Sequence, residues 1–333
     1  MDTPFMPMGV FGILRKALKI SSKNGVFGIL REALKIPSKN GKLFLSITLL
    51  LLIPSSLLYL AKDFAIKPLV TDISAKSFML QDNDPQRPAY AKLMDAINKD
   101  AGFLAAGEII FLVISSMVSL FAITATISAS AMAYYRKDLT RNELFLRIGR
   151  TWKRPVITWL YIILFSLGYL LLFLILIGML AMFSTGRPIA FICLVSVLAI
   201  LFLCFYGYFN VICNLGIVIS VIEESNYGIG ALAKAAELIK GRKRQGYIIY
   251  VLFKLVGSAI YWVLGSAMQG MHLTHASPLV LVNIGSLETI LLFMVFTMFY
   301  IECKKSHGEK VEIEGESGYS LVPTIPLVDV SLP

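Results

Sequence analysis

The sequence has little charge and little cysteine, and each shortage excludes a class of protein. Charged residues make up 16% of the 333 residues and hydrophobic residues 57%, whereas soluble domains average about 25% and about 45–50%. This composition excludes a soluble globular protein. Four cysteines are too few for a disulfide scaffold.

The sequence has fewer acidic than basic residues, which gives it a net charge of +10. A basic balance often indicates a nucleic-acid partner. Here, however, Lys and Arg stand in short clusters beside long apolar runs, which is typical of membrane proteins. We therefore predict a lipid bilayer as the partner and no nucleic acid.

Motifs of catalysis and metal binding are absent as well. The sequence contains no nucleophile elbow, phosphate-binding loop, zinc-protease helix, dinucleotide fingerprint or kinase motif set. His272 and His275 are two histidines, and a zinc site requires three or four ligands. Asp82 and Asp84 resemble the start of a calcium loop that lacks its glycine and closing glutamate. We predict no enzymatic activity, no cofactor and no metal.

Six apolar runs are long enough to cross a membrane as helices, for which about 20 residues are needed. Because lipid cannot satisfy backbone polar groups, these runs must be helical, and their continuous apolar character excludes a barrel. The sequence therefore predicts an all-α polytopic membrane protein with about six transmembrane helices. The runs cover residues 43–61, 109–134, 156–183, 189–210 with an apolar continuation to 222, 247–268 and 279–301.

The fourth run is too long for one crossing of the bilayer. We expect it to cross by Asn210 and to break near Asn210, Asn214 and Gly216. A short amphipathic cytosolic helix is predicted at residues 229–240, preceded by Glu223 and Glu224, whose charges favour the helix N-terminus.

The distribution of Lys and Arg predicts the orientation of the chain. The segments assigned to the cytosol carry 23 of the 31 basic residues, which places both termini in the cytosol under the positive-inside rule. We predict a cytosolic arm at residues 1–42, a six-span membrane domain at 43–301 and a disordered cytosolic tail at 302–333. Residues 62–103 form the largest extracytosolic loop, with a short helix near 88–101. The membrane is the plasma membrane or an endomembrane.

The arm contains a tandem repeat, since residues 9–24 and 25–40 differ at only two of sixteen positions. Phe27, Leu30 and Leu34 recur at helical spacing and predict one apolar face. The arm either lies as an amphipathic helix on an anionic cytosolic leaflet or is a basic flank that fixes topology. The basic residues that stand off the apolar face are Arg15, Lys19, Arg31 and Lys35.

Polar residues inside the spans are the candidate functional residues of the membrane domain. Glu288 lies too deep in the sixth span to reach either surface, and intramembrane ionisable residues are functional candidates. Lys254 on the adjacent antiparallel span is its expected partner. The pair is either structural or serves transport or proton relay.

The second span is rich in small residues, such as Ala122, Thr126 and Ser130 at intervals of four. This spacing favours close helix packing, with a polar translocation path as the alternative. In the tail, Tyr319 and Val322 fit a Tyr-x-x-apolar sorting signal, which would bring membrane-protein or trafficking partners.

One segment resembles known membrane proteins. Residues 221–246 contain an acidic residue, Gly228, an Ala-rich helix and the pair Gly241-Arg242. They resemble the membrane domain attached to some bacterial glycerophosphodiester phosphodiesterases. The Phe-Gly-Ile-Leu-x-x-Ala-Leu arm resembles that of uncharacterised plant multi-pass proteins. The phosphodiesterase catalytic domain is absent, so the resemblance implies a six-span helical fold and transfers no catalytic residue.

These observations favour a non-enzymatic membrane protein that organises or recruits at a membrane surface. The alternative is a carrier for lipids or small solutes that uses Glu288 and Lys254. A carrier needs Glu288 and the hydroxyls of the second span in one cavity, whereas a scaffold buries them in packing.

Overall fold

The computed structural model describes residues 25–39, 41–81, 88–134, 146, 148–183, 188–270 and 277–308. These residues form helices and contain no strand, which confirms the all-α prediction. The main helices are α1 (Val26–Lys39), α2 (Gly41–Gln81), α3 (Pro88–Tyr134), α4 (Lys153–Phe183), α5 (Pro188–Ile222), α6 (Ile229–Leu238), α7 (Lys243–Gly270) and α8 (Ser277–Ser306).

Among the described residues, six of these helices are long and apolar enough to cross a membrane: α2, α3, α4, α5, α7 and α8. Each contains one of the six apolar runs, which confirms the predicted spans. A continuous helix satisfies nearly all backbone donors and acceptors within the span, as a bilayer requires. The chain is therefore an integral membrane protein.

Helices α2 and α3 form a hairpin that is longer than a bilayer is thick. They contain 41 and 47 residues, or about 60 and 70 Å at 1.5 Å per residue, against about 40–45 Å for a bilayer with its headgroups. The predicted loop at residues 62–103 is helical wherever it is described, over residues 62–81 and 88–103. Helix α2 continues to Gln81, and the short helix expected near 88–101 is the start of α3.

Ion pairs stabilise the part of this hairpin that the sequence analysis assigned to a loop. Lys62 on α2 lies 2.7 Å from Glu108 on α3. Lys76 on α2 contacts both Asp72, one turn away, and Asp100 on α3, each at 2.6 Å. These charged side chains lie at helical spacing and form pairs between the two helices. The polar stretches of residues 62–81 and 88–103 therefore continue the helices instead of ending them.

Helix α5 is continuous, so the predicted break near Asn210, Asn214 and Gly216 is wrong. The side chain of Asn210 donates a hydrogen bond to the carbonyl of Tyr206 within the helix. Gly216 allows α6 to approach, since a Cβ at this position would lie 2.7 Å from Leu232. The extra length of α5, residues 211–222, is mostly buried and packs against α6.

The helices pack tightly at one end of the bundle. We call this the packed end; it comprises residues 44–51 of α2, 120–131 of α3, 211–222 of α5 and 292–303 of α8, in which most side chains are buried. Helix α8 is central, contacting α1, α2, α3, α5 and α7. By contrast, no described side chain between residues 160 and 182 of α4 is buried. The exposed apolar side chains of α4 are left for lipid to cover.

Candidate functional site

The carboxylate of Glu223, directly after α5, is the centre of an ion cluster at the packed end. Its Oε1 accepts hydrogen bonds from the Tyr300 hydroxyl at 2.6 Å and from Lys304 at 2.9 Å. Its Oε2 accepts from Asn226 at 2.7 Å and lies 2.8 Å from the ammonium of Lys234. We call these five residues the Glu223 cluster; it joins α5, α6 and α8.

Burial and hydrogen bonding act in opposite directions on Glu223. Burial raises the pKa of the Glu223 carboxyl. The hydrogen bonds from Lys234, Tyr300, Lys304 and Asn226 lower it by a larger amount, so that the pKa falls from 4.5 to about 2. Only 8% of the Glu223 side chain and 7% of the Lys304 side chain are exposed. The cluster thus connects three helices through an ionised carboxylate that is buried with Lys304 and flanked by the partly exposed Lys234.

The chain turns from α5 into α6 at Gly228, whose φ of +62° favours glycine. Its backbone N–H donates to the hydroxyl of Thr158 at 2.8 Å. A Cβ here would lie 3.1 Å from the ring of Tyr161. This contact ties the turn to α4.

The same segment ends in a second fixed turn. Gly241 after α6 also has a positive φ, of +99°. Arg242 then lies 3.7 Å from Glu302 on α8. The residues on which the family resemblance rested therefore have structural roles at the packed end.

The sequence analysis missed the partners of Glu223. It assigned Glu223 and Glu224 to the N-terminus of α6, but Glu223 is bound within the cluster and Glu224 is exposed. Tyr300 and Lys304 lie 77 and 81 residues away, and no local pattern links them to Glu223. The available signal was the spacing of Tyr300 and Lys304, which places them on one face of α8.

The structure brings the predicted intramembrane residues together. The ammonium of Lys254 on α7 lies 3.0 Å from Oε1 of Glu288 on α8. Glu288 also lies against the α7 backbone, because a Cβ at Gly257 would be 2.3 Å from its Oε2. Nearby on α8, Asn283 accepts a hydrogen bond from Ser56 on α2. Polar contacts therefore connect α8 to α7 and to α2.

The hydroxyls of Thr124, Thr126, Ser128 and Ser130 on the second span lie inside the packed end, whereas Ser115, Ser116 and Ser119 on the same helix are not buried. Thr124 and Thr126 on α3 are buried, and each donates to the carbonyl one turn earlier on its own helix. Ser128 and Ser130 are buried without a hydrogen-bond partner among the described residues. The small residues of α3 let the surrounding helices approach closely, as the packing interpretation predicts.

Comparison with known proteins places the chain in a family. The family described as a domain of unknown function (DUF8558) matches residues 15–317. The chain belongs to the DUF8558 family. No curated protein and no solved structure matches it. The likeness of residues 221–246 to bacterial phosphodiesterase membrane domains, and that of the arm to plant proteins, stay predictions.

The DUF8558 region includes α1, which packs on the membrane domain through a face that the sequence analysis did not identify. Ile29, Ala33 and Ile36 are buried against the other helices. Of the predicted apolar face, Leu30 packs at the edge of this contact, whereas Phe27 is 81% and Leu34 57% exposed. Arm helix α1 thus has two apolar faces.

The basic residues predicted for the second copy of the repeat, Arg31 and Lys35, are exposed on α1. The other predicted positions lie outside the described residues: Arg15, Lys19, Asp82, Asp84, His272, His275, Tyr319 and Val322. Within the described part of this DUF8558 chain, no group of three or more His, Cys, Asp and Glu side chains could hold a metal ion.

Proposed function

We propose that this DUF8558 protein is a non-enzymatic membrane protein that organises or recruits other components at a membrane surface. The burial of Thr124, Thr126, Ser128 and Ser130 on the second span supports the proposal most directly. These hydroxyls lie within close helix packing at the packed end, whereas the Lys254–Glu288 pair lies between α7 and α8. Hydroxyls enclosed by packing favour a scaffold over a carrier, which needs such groups in one cavity.

The surface of the packed end supports a role at a charged membrane face. Exposed basic residues on the helix ends and turns around the packed end suit an anionic cytosolic leaflet, each contributing about 1 kcal/mol near the surface. On α1 they stand beside the exposed Phe27 and Leu34, as in interfacial helices. With this end in the cytosol, both termini lie there. The exposed basic residues include Arg31, Lys35, Lys42, Arg150, Lys153, Lys240, Lys243, Arg244 and Lys305.

Proximity labelling from a labelling enzyme fused to the C-terminus tests this role. We expect a reproducible set of neighbours, and we expect the Arg31→Glu/Lys35→Glu variant to lose part of that set because its α1 no longer suits an anionic surface. Glu224→Gln, an exposed change away from α1, is the matched control. Labelling equal to that of an unrelated protein in the same membrane would refute recruitment.

A carrier for lipids or small solutes is the second candidate, favoured by the intramembrane pair. Lys254 is 52% exposed along α7, and its partner Glu288 is 22% exposed. In a relay or carrier, Glu288→Gln would leave expression and folding intact while changing transport. In a scaffold, the same variant would lower stability, because Lys254 would lose its counter-charge. Expression level and thermal stability of this variant distinguish the two.

A further inference from the structure

The docking site of α1 is a groove on the packed end formed by α2, α3, α7 and α8. Three side chains of α1 enter the shared core: Ile29, Ala33 and Ile36, each at most 6% exposed. Val26 and Leu30 pack beside them at the edge. These five side chains define what the groove recognises.

The first copy of the repeat, residues 9–24, carries the same residue types at all five positions. Its counterparts of the three core side chains are Ile13, Ala17 and Ile20, and those of the edge residues are Val10 and Leu14. The chain thus contains two segments with one recognition face and one groove that is occupied by the second segment.

The two positions that differ between the copies are not among these five. Glu32, the counterpart of Lys16, is exposed on α1, and Pro37, the counterpart of Ser21, is half-buried. Glu32 lies close enough to Lys305 on α8 for an attractive charge interaction. Lys16 in the same place would repel Lys305, so the second copy has the higher affinity for the groove.

We propose that residues 9–24 are an alternative occupant of the α1 groove, exchanging with residues 25–40 by a register shift of sixteen residues. The exchange is sterically feasible. When residues 9–24 are docked, the sixteen residues up to Gly41 become the connection to α2. Sixteen residues extend to about 50 Å, more than twice the length of a 14-residue helix at about 21 Å, so the connection reaches back to the start of α2.

Glutamate substitutions at the central alanine of each copy test the exchange in the full chain. Ala33→Glu blocks the second copy, Ala17→Glu blocks the first, and the double variant blocks both. We expect no change in melting temperature for Ala17→Glu and a small fall for Ala33→Glu. The melting temperature of the double variant should fall by several degrees more than the sum of the changes in the two single variants.

Two outcomes of this experiment overturn the proposal. If Ala33→Glu alone lowers the melting temperature as far as the double variant, the first copy does not substitute for the second. If the effects of the two single variants simply add, each copy has its own site. Adding Lys16→Glu to Ala33→Glu serves as the charge control, and it should restore wild-type stability because it recreates the attraction to Lys305.

Crosslinking gives a readout that does not depend on stability. Lys16→Cys and Lys305→Cys are introduced together in a background without the native cysteines, and a bifunctional maleimide is added. We expect at least a severalfold increase in crosslinking within one chain when Ala33→Glu is present. Unchanged crosslinking, or crosslinks only between two chains, contradicts exchange within the chain.

Discussion

Loss of the Glu223 charge should destabilise the protein more than loss of any exposed carboxylate. In Glu223→Gln, the buried Lys304 and the half-buried Lys234 lose the anion that neutralises them. Removing one member of a buried ion pair costs about 3–5 kcal/mol. The lowered pKa of Glu223, from 4.5 to about 2, corresponds to about 3 kcal/mol in favour of the ionised carboxylate.

Thermal unfolding of the detergent-solubilised protein, followed by loss of the monodisperse species, measures this effect. At roughly 2 °C for each kcal/mol in a protein of this size, Glu223→Gln should lower the melting temperature by roughly 5–10 °C. The neighbouring Glu224 is exposed, and Glu224→Gln should change it by less than about 1 °C. Equal shifts for the two variants would refute the assignment of a stabilising role to the Glu223 cluster.

The remaining predictions concern pH and two glycines. The difference in stability between wild type and Glu223→Gln should be constant from pH 7 to 5. Below about pH 4.5 this stability difference should shrink, and near pH 2 it should vanish, because the carboxyl of the unfolded protein binds a proton at a higher pH than that of the folded protein. A constant difference down to pH 3 would contradict this. Gly257→Ala should lower the melting temperature by forcing Glu288 away, whereas Gly265→Ala, with open space at its Cβ, should not. Gly228→Ala should cost about 1–2 kcal/mol at its positive φ, and a cost as small as that of Gly230→Ala in the same melting assay would contradict the turn assignment.

The spans could be predicted from the sequence because a bilayer leaves the backbone few choices. Helix boundaries beyond the bilayer could not, because they depend on contacts between distant segments. The charged residues between positions 62 and 81 suggested a loop, but Lys62 and Lys76 form ion pairs with residues of α3. Likewise, Gly216 suggested a break in α5 but allows the approach of Leu232 on α6.

For the candidate sites, too, some contacts could be predicted from the sequence and others could not. Lys254 and Glu288 were paired from their depths on adjacent antiparallel spans, and the structure places them 3.0 Å apart. Glu223 could not be matched to Tyr300, because depth and periodicity do not specify which helix faces follow a turn. The docked face of α1 was missed because two residues of the more conspicuous apolar face, Phe27 and Leu34, do not pack on the protein.

Water accessibility of the spans tests most directly whether the protein is a packed scaffold. Single cysteines replace Thr126, Ser258 and Thr289 on α3, α7 and α8, in a background without the native cysteines. Thr71→Cys, on the exposed part of α2, is the positive control. In proteoliposomes, we predict that a water-soluble, impermeant maleimide labels position 71 and leaves the other three unlabelled. Labelling of all three span positions would reveal a continuous aqueous stripe and contradict the scaffold.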